Sequence, residues 1–383
     1  MTATDLTQRA LRRIRPDVRA MHAYAVQDAA GMLKLDAMEN PHPLPPALQA
    51  ALGARLGAVE LHRYPGTRIE ALREALAERI GLPDGHALIL GNGSDELISL
   101  LALACAVPPA PGAPAPAVLA PVPGFVMYAM SAQLQGLRFV GVPLAADFSL
   151  DADAMRAAIA RERPAVVYLA YPNNPTANLW DADAVRAVID AAAEAGAVVA
   201  VDEAYQPFAS RTWLDEIRRE PARNGHVLLM RTLSKFGLAG VRLGYLAGPA
   251  ALVGELDKVR PPYNVGVLNA ECALFALEHA EVFAAQAADV REQRGLLAAE
   301  LARLPGWTVF PSEANMLLAR LPGGDAGAQA TFEALRARKV LIKNVSRMHP
   351  LLAGCLRLTV GTADENARLL RALHDIQATP PSR

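Results

Sequence analysis

Cysteine is nearly absent: three in 383 residues, Cys105, Cys272 and Cys355, far apart and outside any CxxC spacing. That excludes a disulfide framework and a cysteine-based zinc site, and it points to a reducing compartment. Aromatic residues are few as well, at 5%, so the 52% hydrophobic content rests mainly on Ala, Leu and Val. Such a composition suits a helix-rich globular chain. No charge of either sign dominates, with 38 Lys and Arg against 39 Asp and Glu. A balance this even offers no footing for nucleic acid or an anionic membrane. The longest apolar run, Leu97 to Val107, is too short to span a bilayer and stops at Pro108-Pro109. Arg9, Arg12, Arg13 and Arg15 stand near the start without an apolar segment, so no secretory signal is expected. The expectation is a soluble, cytoplasmic protein.

What is present is βα alternation. Residues 45–56 and 69–80 have helical spacing, the second with Leu72, Leu76 and Ile80 on one face. From residue 137 onward, apolar strands alternate with helices: 137–144, 165–171, 197–201 and 226–231 are strands, and Asp181 caps a helix running to Gly196. Uninterrupted apolar strands between helices predict a mostly parallel central sheet covered on both faces, with ligands at the carboxyl ends of its strands. After about residue 250 longer helices and short strands predict a smaller α+β domain. The expected divisions are an N-terminal arm (1–43) contributing to the small domain, a large α/β domain (44–255) and a small C-terminal domain (256–383). The proline-rich residues 108–123 enclose AVLA, so they are expected as a rigid loop leading into a strand of the large domain.

Chemistry concentrates at three strand ends. After 226–231 comes Arg231-Thr232-Leu233-Ser234-Lys235, and a glycine-broken loop leads to Arg242. A buried lysine can lose its proton and form a Schiff base with an aldehyde, while an arginine keeps its charge and can hold a dianion beside it. After 197–201 comes Asp202-Glu203-Ala204-Tyr205, and after 165–171 comes Pro172-Asn173-Asn174-Pro175. A fourth site, Gly91-Asn92-Gly93-Ser94-Asp95-Glu96, turns a strand into a helix, with Ser94 expected as N-cap and free amides able to meet an anion. Glu96 occupies the place of the third glycine in G-x-G-x-x-G, which excludes a dinucleotide fingerprint.

Lysine, aspartate, asparagine, tyrosine and a phosphate cup together match the needs of pyridoxal 5'-phosphate. That cofactor needs an amine for its aldehyde, a buried carboxylate at its ring nitrogen, donors to its ring oxygen and a site for its phosphate. Lys235, Asp202, and Asn174 with Tyr205 are the respective candidates. Phe125 is either a core residue or the ring's stacking partner.

The stretches LDAMENP, RYPG, GNGSDEL, YPNNPT, VDEAY, RTLSKFGLAGVRLGY and CLRLTVGT, in this order, resemble the fold-type I pyridoxal-phosphate aminotransferases. Among these they are most similar to the histidinol-phosphate aminotransferases. The likeness runs from about Leu35 to Thr362. It implies a ping-pong transaminase in which Lys235 carries the cofactor and the proton, and Asp202 and Tyr205 assist. It implies a phosphate held by Ser94, Asp95, Thr232, Ser234 and Arg242, with Tyr64 arriving from the second subunit of a homodimer. It places Tyr24, Asn40, Lys343 and Arg357 around the substrate. The implied substrates are histidinol phosphate, imidazole-acetol phosphate, glutamate and 2-oxoglutarate. Alternatives are a threonine-phosphate decarboxylase, another aminotransferase of the same fold, or a non-catalytic cofactor-binding regulator. The sequence departs from the family pattern at Met38, where Asn is frequent, and at Ala177, where Gly is frequent. Lys343 stands where some relatives have Arg, and the interval from Lys235 to Arg242 is one residue shorter than in many relatives.

Overall fold

The computed structural model describes residues 3–21, 27–107, 110 and 112–378. Two compact units divide the chain, Met1–Met32 and Leu33–Arg383. The first contains helices Ala3–Leu11 and Pro16–Ala20. All that follows concerns the second.

Seven strands form its main sheet, in the order His86–Gly91, Gly244–Pro249, Val227–Thr232, Val198–Asp202, Val166–Ala170, Ala117–Val122, Arg138–Pro143. Only Gly244–Pro249 runs against its neighbours; the other pairings are parallel. The expected mostly parallel sheet is therefore present. Its two faces follow from the two-residue period of a strand. Val199, Val201 and Leu229 point into one core with helices Thr67–Arg79, Ala182–Ala195 and Val267–Glu278. Ala200, Leu228 and Met230 point into another with helices Gly93–Ala104 and Val126–Gln135. Strands covered on both sides have no polar face to show, which is why they read as continuous apolar runs.

A third core surrounds the antiparallel strands Thr308–Val309, Met316–Arg320, Cys355–Thr359 and Lys343–Asn344, with helices Ala280–Leu301, Gly324–Ala337 and Ala363–Ala378. Leu33, Leu35 and Met38 pack into it, and Leu33–Lys34 pairs in parallel with Val340–Leu341. Residues 36–39 are thereby strapped to these C-terminal strands: Met38 donates its N–H to Thr359 Oγ1 at 3.0 Å, and its carbonyl accepts from Asn315 at 3.0 Å.

Two of the departures noted in the sequence lie in left-handed backbone. Met38 has φ of 53° and Ala177 has φ of 64°. Asn and Gly enter this region most easily, and other residues pay about 1–2 kcal/mol there. Both side chains are buried in the third core, so apolar burial offsets the strain at the same positions.

Candidate active site

The carboxyl ends of three neighbouring strands open on one cavity of about 330 Å³. Val166–Ala170 leads to Asn174, Val198–Asp202 ends on Asp202, and Val227–Thr232 leads to Lys235. All three line the cavity, together with Phe125, Tyr205, Ser94, Asp95, Thr232, Ser234 and Arg242. The segment after Lys235 is broken at Gly237, as expected, with φ of 131°, but short turns flank the break: a wide helical turn over Ser234–Leu238 and a tighter one, Ala239–Val241.

At one end the geometry suits a phosphate. Helix Gly93–Ala104 starts here, and its N-cap is Asn92, which moves Ser94 from the expected cap into the first turn. The amides of Ser94 and Asp95 are among those a helix cannot satisfy internally. The turn is closed from behind by the Glu96 carboxylate, which accepts from Asn92 N–H at 2.6 Å. Across from it, Thr232 donates its hydroxyl to Ser234 Oγ at 2.9 Å, and Arg242 reaches Ser234 Oγ at 3.5 Å and Asp95 at 3.4 Å. Two glycines keep this cradle open. A Cβ on Gly244 would lie 3.0 Å from the Ser94 nitrogen, and one on Gly93 would lie 2.9 Å from the Arg242 guanidinium.

At the other end are the titrating groups. Asp202 is 4% exposed and burial pushes it up to about 6, against the pull of hydrogen bonds from Tyr128 and from the Ala204 N–H. Those bonds reach opposite oxygens: Tyr128 OH donates to Oδ2 at 2.6 Å and Ala204 N–H to Oδ1 at 3.0 Å. Lys235 moves the other way. Burial, then the positive field of Arg357, bring it down to about 8. Its ammonium donates to the Ala37 carbonyl at 3.1 Å and lies 5.9 Å from the centroid of Tyr205. Burial also raises the Tyr205 phenol, so it stays protonated and able to donate.

Sign and window for Lys235 follow from that depression. Below about pH 8 the folded, cofactor-free protein holds a buried ammonium that the unfolded chain would solvate. Between there and the unfolded value of 10.5 the unfolded chain binds the extra proton, so stability rises with pH across this window. Cofactor-free Lys235→Met is therefore expected to be more stable than the parent at pH 7, by on the order of 2 kcal/mol. Urea unfolding of both proteins at neutral and at alkaline pH tests this. A stability gap that does not shrink as pH rises would show that the buried charge is not its cause.

Arg357 is buried just behind the lining. It donates to Asn174 Oδ1 at 2.8 Å and to the Asp36 carbonyl at 2.7 Å. Lys343 is its cross-strand partner, so both side chains leave the sheet on one face. Asn40 lies outside the lining and is engaged elsewhere, donating to Gln286 at 2.9 Å and accepting from His42 N–H. Tyr64 is 76% exposed, also outside the lining, and stacks on Tyr263 with ring centroids 4.3 Å apart. Tyr24 lies outside the described residues. Three contributors carry little sequence signal: the carbonyls of Asp36 and Ala37, and the Tyr128 hydroxyl. A main-chain oxygen is common to all residues. Tyr128 stands three residues after Phe125, a spacing that by itself indicates only a shared helix face.

Glu203 and Arg231, neighbours of Asp202 and Thr232 in the chain, form a buried ion pair at 2.8 Å that also engages Thr212. It braces the two strand ends.

Residues 30–373 match the model of the aminotransferase class I and II family. The chain belongs to this family. Pyridoxal phosphate is the cofactor of these aminotransferases, and the open cradle, the buried carboxylate and the depressed amine fit it. The enzyme is 68% identical to the histidinol-phosphate aminotransferase of Paracidovorax citrulli over 97% of this chain and 99% of the relative. It is 66% identical to that of an Acidovorax species, over 97% and 99%. Its fold is that of the histidinol-phosphate aminotransferase from Sinorhizobium meliloti in complex with pyridoxal-5'-phosphate. The TM-score is 0.81 at 24% identity, covering 95% of this chain and 97% of that one. Among the described residues of this aminotransferase no helix is long and apolar enough to cross a membrane.

Proposed function

We propose that this aminotransferase moves an amino group from glutamate to imidazole-acetol phosphate, giving 2-oxoglutarate and histidinol phosphate, in histidine biosynthesis. The single observation that carries the reading is the full-length identity of 68% to a histidinol-phosphate aminotransferase. The chemistry of the cavity agrees with it. Bound pyridoxal phosphate supplies an electron sink for the charge left on the substrate Cα when its proton departs. The protein does the rest. Lys235, poised near neutrality, would be the base that takes the proton from the substrate Cα and holds it for return toward the cofactor. Asp202 would keep the ring nitrogen protonated, and Asn174 and Tyr205 would donate to the ring oxygen. Ser94, Asp95, Thr232, Ser234 and Arg242 would hold the phosphate, and Phe125 would cover the ring. Arg357 receives in turn the carboxylate of glutamate and the phosphate of its partner, with Lys343 beside it as a point charge.

A cytoplasmic homodimer completes the reading. Tyr64, exposed and outside its own cavity, serves the second subunit's cofactor phosphate. The large domain (44–255) supplies the cofactor site, and residues 37–39, held by Thr359 and Asn315 of the small domain (256–383), border the substrate.

A panel of phosphorylated amines tests the substrate. Histidinol phosphate with 2-oxoglutarate is expected to give glutamate without carbon dioxide. Carbon dioxide and aminopropanol phosphate from phosphothreonine would replace this reading with a decarboxylase.

A further inference from the structure

Tyr128 lies at 2% exposure on helix Val126–Gln135. Its ring is fixed twice, stacked on Tyr168 with centroids 4.3 Å apart and planes within 6°, and edge-on to Phe125 at 5.6 Å. Its hydroxyl meets Asp202 Oδ2 at 2.6 Å. A phenylalanine would keep both ring contacts, so packing does not account for the hydroxyl. Burial drives the phenol well above its ordinary value, so it donates and does not compete for the negative charge. We propose that Tyr128 is a positioning residue for the cofactor: by donating to Asp202 Oδ2 it keeps that carboxylate charged and aimed at the ring nitrogen. The inference rests on Asp202 meeting that nitrogen.

The groups facing Asp202 explain why a donor is wanted. Asp95 on helix Gly93–Ala104 and Glu203 beside it both oppose its charge, as does its own burial. Tyr168 and Tyr205 are neutral neighbours. Lys235 and Arg242 line the same cavity, but their positive charge is turned to the Ala37 carbonyl and to Asp95 and Ser234. Only Tyr128 and the Ala204 N–H bond the carboxylate directly among the described residues. With one donor on each oxygen, each still has a lone pair for a ring N–H.

The test uses cofactor-free protein and pyridoxine 5'-phosphate, an alcohol that cannot bond covalently to Lys235. Calorimetry gives its dissociation constant for the parent and for Tyr128→Phe from about pH 5.5 to about pH 8.5, spanning the Asp202 titration. Titrations of the ligand itself are common to both proteins and cancel in the ratio of constants. Losing the donor raises the Asp202 titration by roughly one pH unit, so the ratio grows to about tenfold as pH falls and levels off at high pH. A ratio that is constant across pH, or one that persists in an Asp202→Asn background, assigns Tyr128 a packing role and overturns the inference. Difluorotyrosine at position 128, a stronger donor of nearly the same shape, moves the titration downward. It decides the matter if the phenylalanine variant fails to fold, and a titration that stays put overturns the inference. A parent protein that does not bind the probe contradicts the cofactor site itself, and the inference falls with it. Binding that is unchanged by substitution contradicts the inference alone.

Discussion

Lys235→Ala is expected to keep its fold and lose turnover by at least about a hundred- to ten-thousand-fold, the usual worth of a positioned proton-transfer group. The loss has two parts. Without the amine the cofactor is held by its phosphate cup and ring contacts alone, so it exchanges with solvent. Without a base at this position the proton on Cα has no acceptor, since on the proposed reading Asp202 is committed to the ring nitrogen and the Tyr205 phenol stays protonated. Arginines nearby cannot substitute, because a guanidinium does not give up its proton near neutrality. Single-turnover absorbance with glutamate measures the chemical step, and added small amines are expected to restore part of it. Borohydride reduction of the parent, followed by peptide mapping, locates the cofactor on the chain. A label on another lysine, or a variant within tenfold of the parent, would remove Lys235 from the mechanism.

Arg357→Ala is the second large effect. If its guanidinium serves two anions in turn, as proposed, losing it is expected to impair the glutamate half-reaction and the histidinol-phosphate half-reaction alike. A charge-assisted hydrogen bond is worth roughly 1.5–3 kcal/mol, or about 10- to 150-fold. Some of that loss comes from the Asn174 and Asp36 oxygens, which lose the donor they now share. A pH signature separates the two contributions. Arg357 helps to depress Lys235, so its removal lets Lys235 hold its proton to higher pH. In the cofactor-free protein, acylation of Lys235 by acetic anhydride is then expected to begin at higher pH than in the parent. Lys343→Ala should weaken the phosphorylated substrate more than glutamate, because a point charge gains most from a dianion. An intact glutamate half-reaction in Arg357→Ala would mean that the shared anion pocket does not exist.

The strand ends were legible in the sequence because buried parallel strands are apolar throughout, so the first polar residues after them stand out. Asn174, Asp202 and Lys235 were found in that way, and the glycine turn at Gly91–Gly93 marked the anion cradle. The break after Lys235 was legible as well, because glycine takes the φ of 131° at Gly237 without strain, although short helical turns flank it in place of an open loop. Ser94 was misplaced by two residues, since Asn92 makes an equally good cap by composition.

By itself, the sequence determined the alternation of elements, which polar side chains stand at the strand ends, and the family to which the chain belongs. These depend on local pattern and on residue chemistry. Tertiary structure alone decided how the groups act on one another. The shift of Lys235 toward neutrality needs burial and the field of Arg357, which is 122 positions away in the chain (357 − 235). The strap of residues 36–39 over the cavity needs Thr359 and Asn315. The bond from Tyr128 to Asp202 joins residues 74 apart, on a helix and a strand end that meet only once the sheet is covered. Electrostatics and hydrogen bonds act through space over a few ångströms, and no spacing along a chain encodes such a distance.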